Sequence, residues 1–194
     1  MAEVREGDSG QIPSNCGGLL IARRVSSAEE VDRPDWREES SVMIDLATAL
    51  PRLLPFAIQW VESMEADVLA TGRRLTVSEG AFATAVGVRH AGRVRLKLVM
   101  ALPQPTHPEL RAAADQTGLL GPNMAGVTFG YAIFVKQGCL TNRLLSHELR
   151  HVYQYETAGS IAAFLPPYFQ QIVTVGYDRA PYELDAQRSE RDTP

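Results

Sequence analysis

The chain has 194 residues, of which 45% are hydrophobic and 22% are charged, and its formal net charge is −4. This composition is typical of a folded globular domain and argues against a disordered or membrane-embedded protein. The mildly acidic balance also lacks the surplus of basic residues that binding to a nucleic-acid backbone requires, so we expect no nucleic-acid partner.

The first 40 residues are mostly polar and charged, apart from a short apolar stretch at 17–22. We interpret residues 1–40 as a polar, flexible N-terminal arm and residues 41–194 as a single domain. The arm lacks the basic segment followed by an apolar one that forms a secretory signal. No later stretch offers the ~20 uninterrupted apolar residues of a membrane span. We therefore expect a cytoplasmic protein without a membrane span, and the sequence gives no indication of its oligomeric state.

The first half of the domain is predicted to be mainly helical. Apolar residues recur every three or four positions through 43–71, which indicates an amphipathic helix that bends or restarts near Pro55. Ser78 is predicted to open a shorter helix that runs to about Val86. Charged and apolar residues then alternate through 93–98, as in a strand with one face in solvent.

The second half is predicted to contain one more strand and several helices. Thr106 and Glu109 have the spacing of a capping box, which predicts a helix that ends near Thr117. Further elements are predicted as a strand over 127–136 and as helices over 142–157, over 160–175 with a break at the double proline, and over 181–191. Two strands among five or six helices indicate an α+β fold.

The strongest chemical signal is the pentapeptide His147-Glu148-Leu149-Arg150-His151. Histidines four residues apart on a helix lie about 40° apart in projection and one turn apart along the axis, so both rings can bind one metal ion. Glu148 is rotated by about 100° from His147, which places its carboxylate beside the metal. This pattern predicts a catalytic site in which one Zn²⁺ activates a water molecule and Glu148 accepts the proton of that water as general base.

A catalytic zinc site needs a third protein ligand, and the sequence offers more than one. No histidine follows His151, and Glu156 lies on the opposite side of the helix from His147. Glu183 is the best candidate, because it stands in the first turn of a helix that can return antiparallel to the HExxH helix. The favourable interaction of any glutamate with a helix N-terminus is the competing explanation of this residue. Asp185 is the alternative ligand.

The pentapeptide and the segment 180–186 (Ala-Pro-Tyr-Glu-Leu-Asp-Ala) together resemble the gluzincins, the thermolysin-like zinc peptidases. The wider string 146–156 and the pair Gly176-Tyr177 are similar to small bacterial zincin-like proteins of uncharacterised function. The similarity covers about residues 125–188 and leaves the first hundred or so residues without a comparable motif.

The resemblance implies both a metal site and a fold. In it, His147, His151 and Glu183 bind one Zn²⁺, and Glu148 is the base. The implied zincin-like fold has a small mixed or antiparallel sheet packed on the HExxH helix, with additional helices. Its edge strand, for which 127–135 is the candidate here, can pair with an extended peptide substrate.

The sequence departs from the gluzincin pattern at one position. Several gluzincin groups place an aspartate four residues after the glutamate ligand, where it accepts a hydrogen bond from a ligand histidine, and the residue here is Gln187. Gln154, seven residues after the first histidine, is one candidate for this role, with a buried structural amide as the competing interpretation. Tyr177 and Tyr182 flank the third ligand and are candidates for stabilising an oxyanion, with packing as the competing explanation.

The sequence thus predicts a zinc-dependent hydrolase, specifically a metallopeptidase that acts on a peptide or protein substrate through Glu148. The alternative is a weak or inactive zincin-like protein that binds zinc and a peptide or partner without turnover. The small size of the chain and the glutamine at position 187 support this alternative. A third interpretation is an accidental HExxH string on a structural helix.

Overall fold

A computed structural model describes residues 44–194, so the predicted N-terminal arm (1–40) lies outside the described residues. The described residues all fall within one compact unit. They form a mixed α and β structure, which confirms the predicted α+β class. Among residues 44–194, no helix combines the length and the apolar character that a membrane crossing requires.

The elements follow one another in this order along the chain: α1 (Leu46–Thr71), β1 (Arg73–Arg74), α2 (Val77–Ala85), a 3₁₀ turn (Ala91–Arg93), β2 (Arg95–Val99), α3 (Pro108–Thr117), β3 (Gly126–Phe129), β4 (Ala132–Lys136), α4 (Asn142–Ala158), α5 (Ile161–Val175), a second 3₁₀ turn (Tyr177–Arg179) and α6 (Pro181–Arg188).

Helix α1 is held by its cap and by its buried face. The Asp45 carboxylate accepts hydrogen bonds from the backbone N–H groups of Ala47 and Thr48, which would otherwise lack partners. The helix then continues through both of its prolines, so the restart predicted near Pro55 is wrong. Buried residues of this helix lie both before and after Pro55. Their packing outweighs the loss of the backbone hydrogen bonds that the prolines cannot make.

The starts of α2 and α3 differ from the prediction. Thr76 caps α2, with Glu79 completing a capping box, so this helix begins just before the predicted Ser78. The capping box predicted at Thr106 is wrong, because the N-cap of α3 is His107, whose side chain makes no capping bond. Pro108 occupies the first helical position instead. A backbone N–H at that position would have no partner within the helix, so its absence in proline costs no hydrogen bond.

The stretch predicted as one strand over 127–136 is a hairpin. Strands β3 and β4 pair antiparallel, with Phe129 opposite Ala132, and Gly130 and Tyr131 form the turn. Gly130 has φ 61°, a left-handed conformation that glycine adopts without a steric penalty. The alternation of apolar residues runs through the turn, so the pattern alone did not reveal it.

The four strands form one mixed sheet in the order β1-β2-β4-β3, with β2 and β4 parallel and the other two pairs antiparallel. Helices pack on both faces. Ile133 and Val135 join one apolar core with residues of α2 and α4, whereas Ala132 and Phe134 join the other with residues of α1 and α5. Strand β3 is an edge strand, and it contacts α4.

Helices α5 and α6 complete the second side of the domain. The break predicted at Pro166-Pro167 is wrong, because α5 is one helix from Ile161 to Val175. Its buried residues Phe164, Leu165 and Ile172 lie on both sides of the prolines and fix the helix by tertiary packing. Helix α6 ends at Arg188, three residues before the predicted end, and packs on α4.

Candidate metal centre

Helix α4 carries the two histidines and the intervening glutamate. It begins at a Thr141 cap and ends at Gly159, which has the left-handed conformation typical of a helix end. Leu145, Leu149 and Val152 are buried in the core shared with α2 and the sheet, which fixes the rotation of the helix. The neighbouring face consequently presents His147 and His151 one turn apart, and their Nε2 atoms lie 3.1 Å from each other.

Glu183 reaches the two histidines from α6. Its side chain is 1% exposed. One carboxylate oxygen, Oε2, lies 3.5 Å from Nε2 of His147, and the other, Oε1, lies 3.5 Å from Nε2 of His151. The three residues form a group that could hold a metal ion. Asp185, the alternative ligand, points away from this group and pairs with Arg150.

The spacing of the three donor groups fits a divalent metal ion. In a tetrahedral zinc site with bonds of 2.0–2.1 Å, neighbouring donor atoms lie about 3.3–3.4 Å apart. The two Nε2 atoms lie 3.1 Å apart, and each lies 3.5 Å from a different carboxylate oxygen of Glu183, Oε2 for His147 and Oε1 for His151. Oε2 of Glu183 is buried and makes no hydrogen bond to a residue that the structure describes. A buried carboxylate oxygen without a hydrogen bond destabilises the fold unless a cation lies beside it. These three side chains are therefore better suited to binding a metal ion than to packing in a core without one.

A glutamine fixes the ring of His151. Gln154 donates its amide hydrogens to the Tyr182 carbonyl oxygen (2.9 Å) and to Oδ2 of Asp185 (2.8 Å). Both partners only accept, so the amide oxygen of Gln154 must face Nδ1 of His151, 2.8 Å away. Nδ1 therefore carries a proton, which leaves Nε2 as the ring nitrogen that could bind a metal ion. Gln154 thus takes the orienting role that the sequence suggested, within a buried network.

A carboxylate fixes the ring of His147. Oε1 of Glu190 lies 3.3 Å from Nδ1 of His147, and its other oxygen accepts a hydrogen bond from Arg143. Glu190 follows Glu183 by seven residues, whereas Gln187, which follows it by four, is exposed. Glu190 was among the acidic residues downstream of the pentapeptide, but no spacing rule distinguished it from the others.

The ionisation of the group reflects the attraction between its members. Burial disfavours the charged ring of His151, but the adjacent Glu183 carboxylate outweighs burial and raises the pKa of His151 to about 9. Burial likewise opposes ionisation of Glu183, yet the two histidines hold the pKa of this carboxyl far below its usual range. The site therefore stabilises positive charge beside Glu183, and a proton and a metal ion compete for the same position.

Glu148 stands beside the three donors and outside their group. It is 3% exposed. Thr128 on β3 donates its hydroxyl hydrogen toward Oε2 of Glu148, at 2.6 Å. Burial raises the pKa of the Glu148 carboxyl, although the neighbouring histidines oppose this effect. Gly126, two residues earlier on the strand, leaves room for the carboxylate, since a Cβ there would lie 2.7 Å from Oε1.

The three tyrosines near the site have different positions. Tyr177 lines the cavity beside the metal group, whereas Tyr182 does not and packs against Phe164 and Tyr168. Tyr168 donates a hydrogen bond to Oε1 of Glu183 at 2.7 Å, a role that the sequence had not indicated. Burial raises the pKa of the Tyr168 and Tyr177 hydroxyls, so both are proton donors at neutral pH.

The site opens into an elongated cavity that we term the chamber. Its empty space, including the opening to solvent, measures about 1110 Å³. Its wall includes His147, His151 and Glu183, together with Glu148, Thr128 and Tyr177. The rest of the wall comes largely from apolar residues of α1, α3, β3 and α5. A reacting group at the metal position would therefore be connected to a large apolar space.

Comparison with known proteins returns no relative: the chain matches no protein-family model, no curated protein and no solved structure. The resemblance to gluzincins therefore stays a prediction from the two motifs, and the function is argued from the site itself.

Proposed function

We propose that the protein is a zinc-dependent hydrolase that cleaves peptide-type amide bonds. The observation that carries the proposal is the group of His147, His151 and Glu183. The two Nε2 atoms lie 3.1 Å apart and each lies 3.5 Å from one carboxylate oxygen of Glu183, distances that suit three ligands of one zinc ion. An acceptor at Nδ1 orients each imidazole ring, and zinc held by these three residues would keep a position for water and substrate.

Zinc bound at this position would supply Lewis-acid chemistry that makes water a nucleophile at neutral pH. In this proposal Glu148 accepts the proton of the attacking water and delivers it to the leaving nitrogen as the carbon–nitrogen bond breaks. The hydrogen bond from Thr128 holds the Glu148 carboxylate in position. Tyr177, which lines the cavity beside Glu183 and Glu148, is our candidate donor to the developing oxyanion. We assign no catalytic role to Tyr182.

The position of β3 supports a substrate with a peptide portion. This strand carries Thr128, which contacts Glu148, and none of residues 44–194 pairs with its outer edge. An extended peptide that paired with the edge would bring a carbonyl group to the metal.

The test is hydrolysis of a library of free and N-acylated peptides by zinc-loaded protein, with Glu148→Gln as the matched variant. We expect Glu148→Gln to retain zinc and to lose activity by roughly 10²–10⁴-fold, the usual contribution of a general base. Equal inactivity of the zinc-loaded wild type and the variant across the library would contradict the hydrolase proposal and favour the alternative, a zincin-like binding protein without turnover.

A further inference from the structure

The residues that line the chamber extend over a greater length than one amino-acid side chain spans. On α1 alone, the residues that line it run from Leu46 to Val61, fifteen residues apart. At a rise of 1.5 Å per residue, this separation corresponds to about 22 Å along the helix axis. Residues of α3, including Leu110 and Ala113, line the chamber as well.

The chemistry of the wall defines what the chamber can hold. Among the described residues that line it, the charged or titratable side chains are those at the metal centre together with Tyr155 and Tyr168. Away from the centre the wall is formed by aliphatic and aromatic side chains, such as Leu50, Trp60 and Ile172. A peptide main chain would leave its N–H and C=O groups without hydrogen-bond partners there, which is unfavourable. A long hydrocarbon chain needs no such partners.

We infer that the substrate carries a long unbranched acyl chain, which occupies the chamber while its carbonyl group lies at the metal position. The reaction in this inference rests on the proposed hydrolase function, whereas the binding of the acyl chain does not. In the reaction, the water oxygen bonds to the acyl carbon, the bond from that carbon to the amide nitrogen breaks, and Glu148 transfers the proton to the nitrogen. The products are a fatty acid and an amine, and the amine portion, an amino acid or peptide, extends from the metal position away from the apolar part of the chamber.

The first test measures binding of saturated fatty acids of four to fourteen carbons to zinc-loaded protein. Trp60 lines the chamber and serves as the reporter in a Trp36→Phe background, in which it is the remaining tryptophan. Burial of each methylene group contributes about 0.8 kcal/mol, so we expect the affinity to rise roughly tenfold for every two carbons through at least ten carbons. An affinity that stops rising after about six carbons would overturn the inference, because a pocket of side-chain size gives that result.

The second test narrows the chamber far from the metal centre. Ala113→Phe adds a ring to a position that lines the chamber, whereas Ala112→Phe makes the same change at the neighbouring residue of α3, which does not. We expect Ala113→Phe to weaken dodecanoic acid binding at least tenfold and to leave acetate binding unchanged, while the control variant binds like wild type. Equal effects of the two substitutions would overturn the assignment. If the Ala113 variant does not fold, the dependence of affinity on fatty-acid chain length, measured without a substitution in the chamber wall, still tests the inference.

Hydrolysis assays separate this inference from the proposed function. Dodecanoyl and acetyl amides of the same amino acid are compared, with Glu148→Gln as the inactive control. Fatty acid binding without hydrolysis of either amide would contradict the proposed function and leave the chamber assignment standing. Hydrolysis of acetylated and dodecanoylated substrates at equal kcat/KM would overturn the chamber assignment and leave the hydrolase standing.

Discussion

The amide oxygen of Gln154 lies 2.8 Å from Nδ1 of His151, on the same helix and one turn away. Because the amide nitrogen of Gln154 is already committed to Asp185 and to the Tyr182 carbonyl, this contact determines which ring nitrogen of His151 carries the proton. The group of side chains that could hold a metal ion is therefore organised by a glutamine and an aspartate outside that group.

Replacing Gln154 by methionine should weaken zinc binding without removing a ligand. The variant keeps the side-chain volume but loses the acceptor at Nδ1, so the ring of His151 is no longer held in one orientation. We expect a roughly 10–100-fold lower affinity for zinc, measured by competition with a chelator of known affinity. Gln170→Met, the same change at an exposed position on α5, is the control. Unchanged affinity in the Gln154 variant would show that the contact does not orient the ring.

The hydroxyl of Thr128 should stabilise the fold as well as position Glu148. Thr128→Val removes the donor to a buried carboxyl, so we expect the free energy of unfolding to fall by about 1–3 kcal/mol and hydrolysis to decline while zinc is retained. Thr128→Ser keeps a hydroxyl and should recover most of both properties. Thr84→Val, at an exposed threonine whose hydroxyl bonds a carbonyl of its own helix, gives the background effect of the substitution. A valine variant as stable and active as the serine variant would exclude this role.

Glu156 should make the stability of the fold depend on pH. Its carboxylate accepts hydrogen bonds from the backbone N–H groups of Arg89 (2.7 Å) and His90 (2.9 Å). Burial works against the charged form, but these bonds outweigh it and lower the pKa of Glu156 in the folded state. The folded pKa lies below the unfolded value of about 4.3, so the stabilisation is complete above that value and is lost as the pH falls through the folded pKa.

We therefore expect Glu156→Gln to be less stable than wild type at pH 7, by about 1–3 kcal/mol, with the difference shrinking between about pH 5 and pH 3. Urea unfolding at several pH values measures both quantities. Glu62→Gln, at an exposed position on α1, should show neither effect. A stability difference that is constant from pH 7 to pH 3 would contradict the assigned cause.

The local part of the site could be predicted from the sequence, and the part made by tertiary contacts could not. The placement of His147, Glu148 and His151 follows from the helical repeat alone, and a second helix nearby made Glu183 identifiable. Thr128 and Glu190 reach the site from a strand and from beyond the end of α6, and no periodicity connects them to the histidines. The role of Tyr168 could not be predicted either, because this residue follows a double proline that predicted a break in α5.

The errors in the fold have two different origins. Local signals were given more weight than packing at Pro55 and at the Pro166-Pro167 pair, where buried residues on both sides keep each helix continuous. The hairpin turn at Gly130 was missed for the opposite reason, because a continuous apolar pattern hid a glycine with positive φ. The chamber is a property of how α1, α3 and α5 come together, which no single segment encodes.

The most direct test of the metal site is the zinc content of purified protein after loading with zinc and removal of the excess. We predict one zinc ion per chain in the wild type, in Glu148→Gln and in the control Glu62→Gln, and far less than one in Glu183→Gln, which keeps the shape of the ligand but removes its charge. A wild type without stoichiometric zinc, or a Glu183→Gln variant that retains zinc as firmly as the wild type, would contradict the His147–His151–Glu183 site.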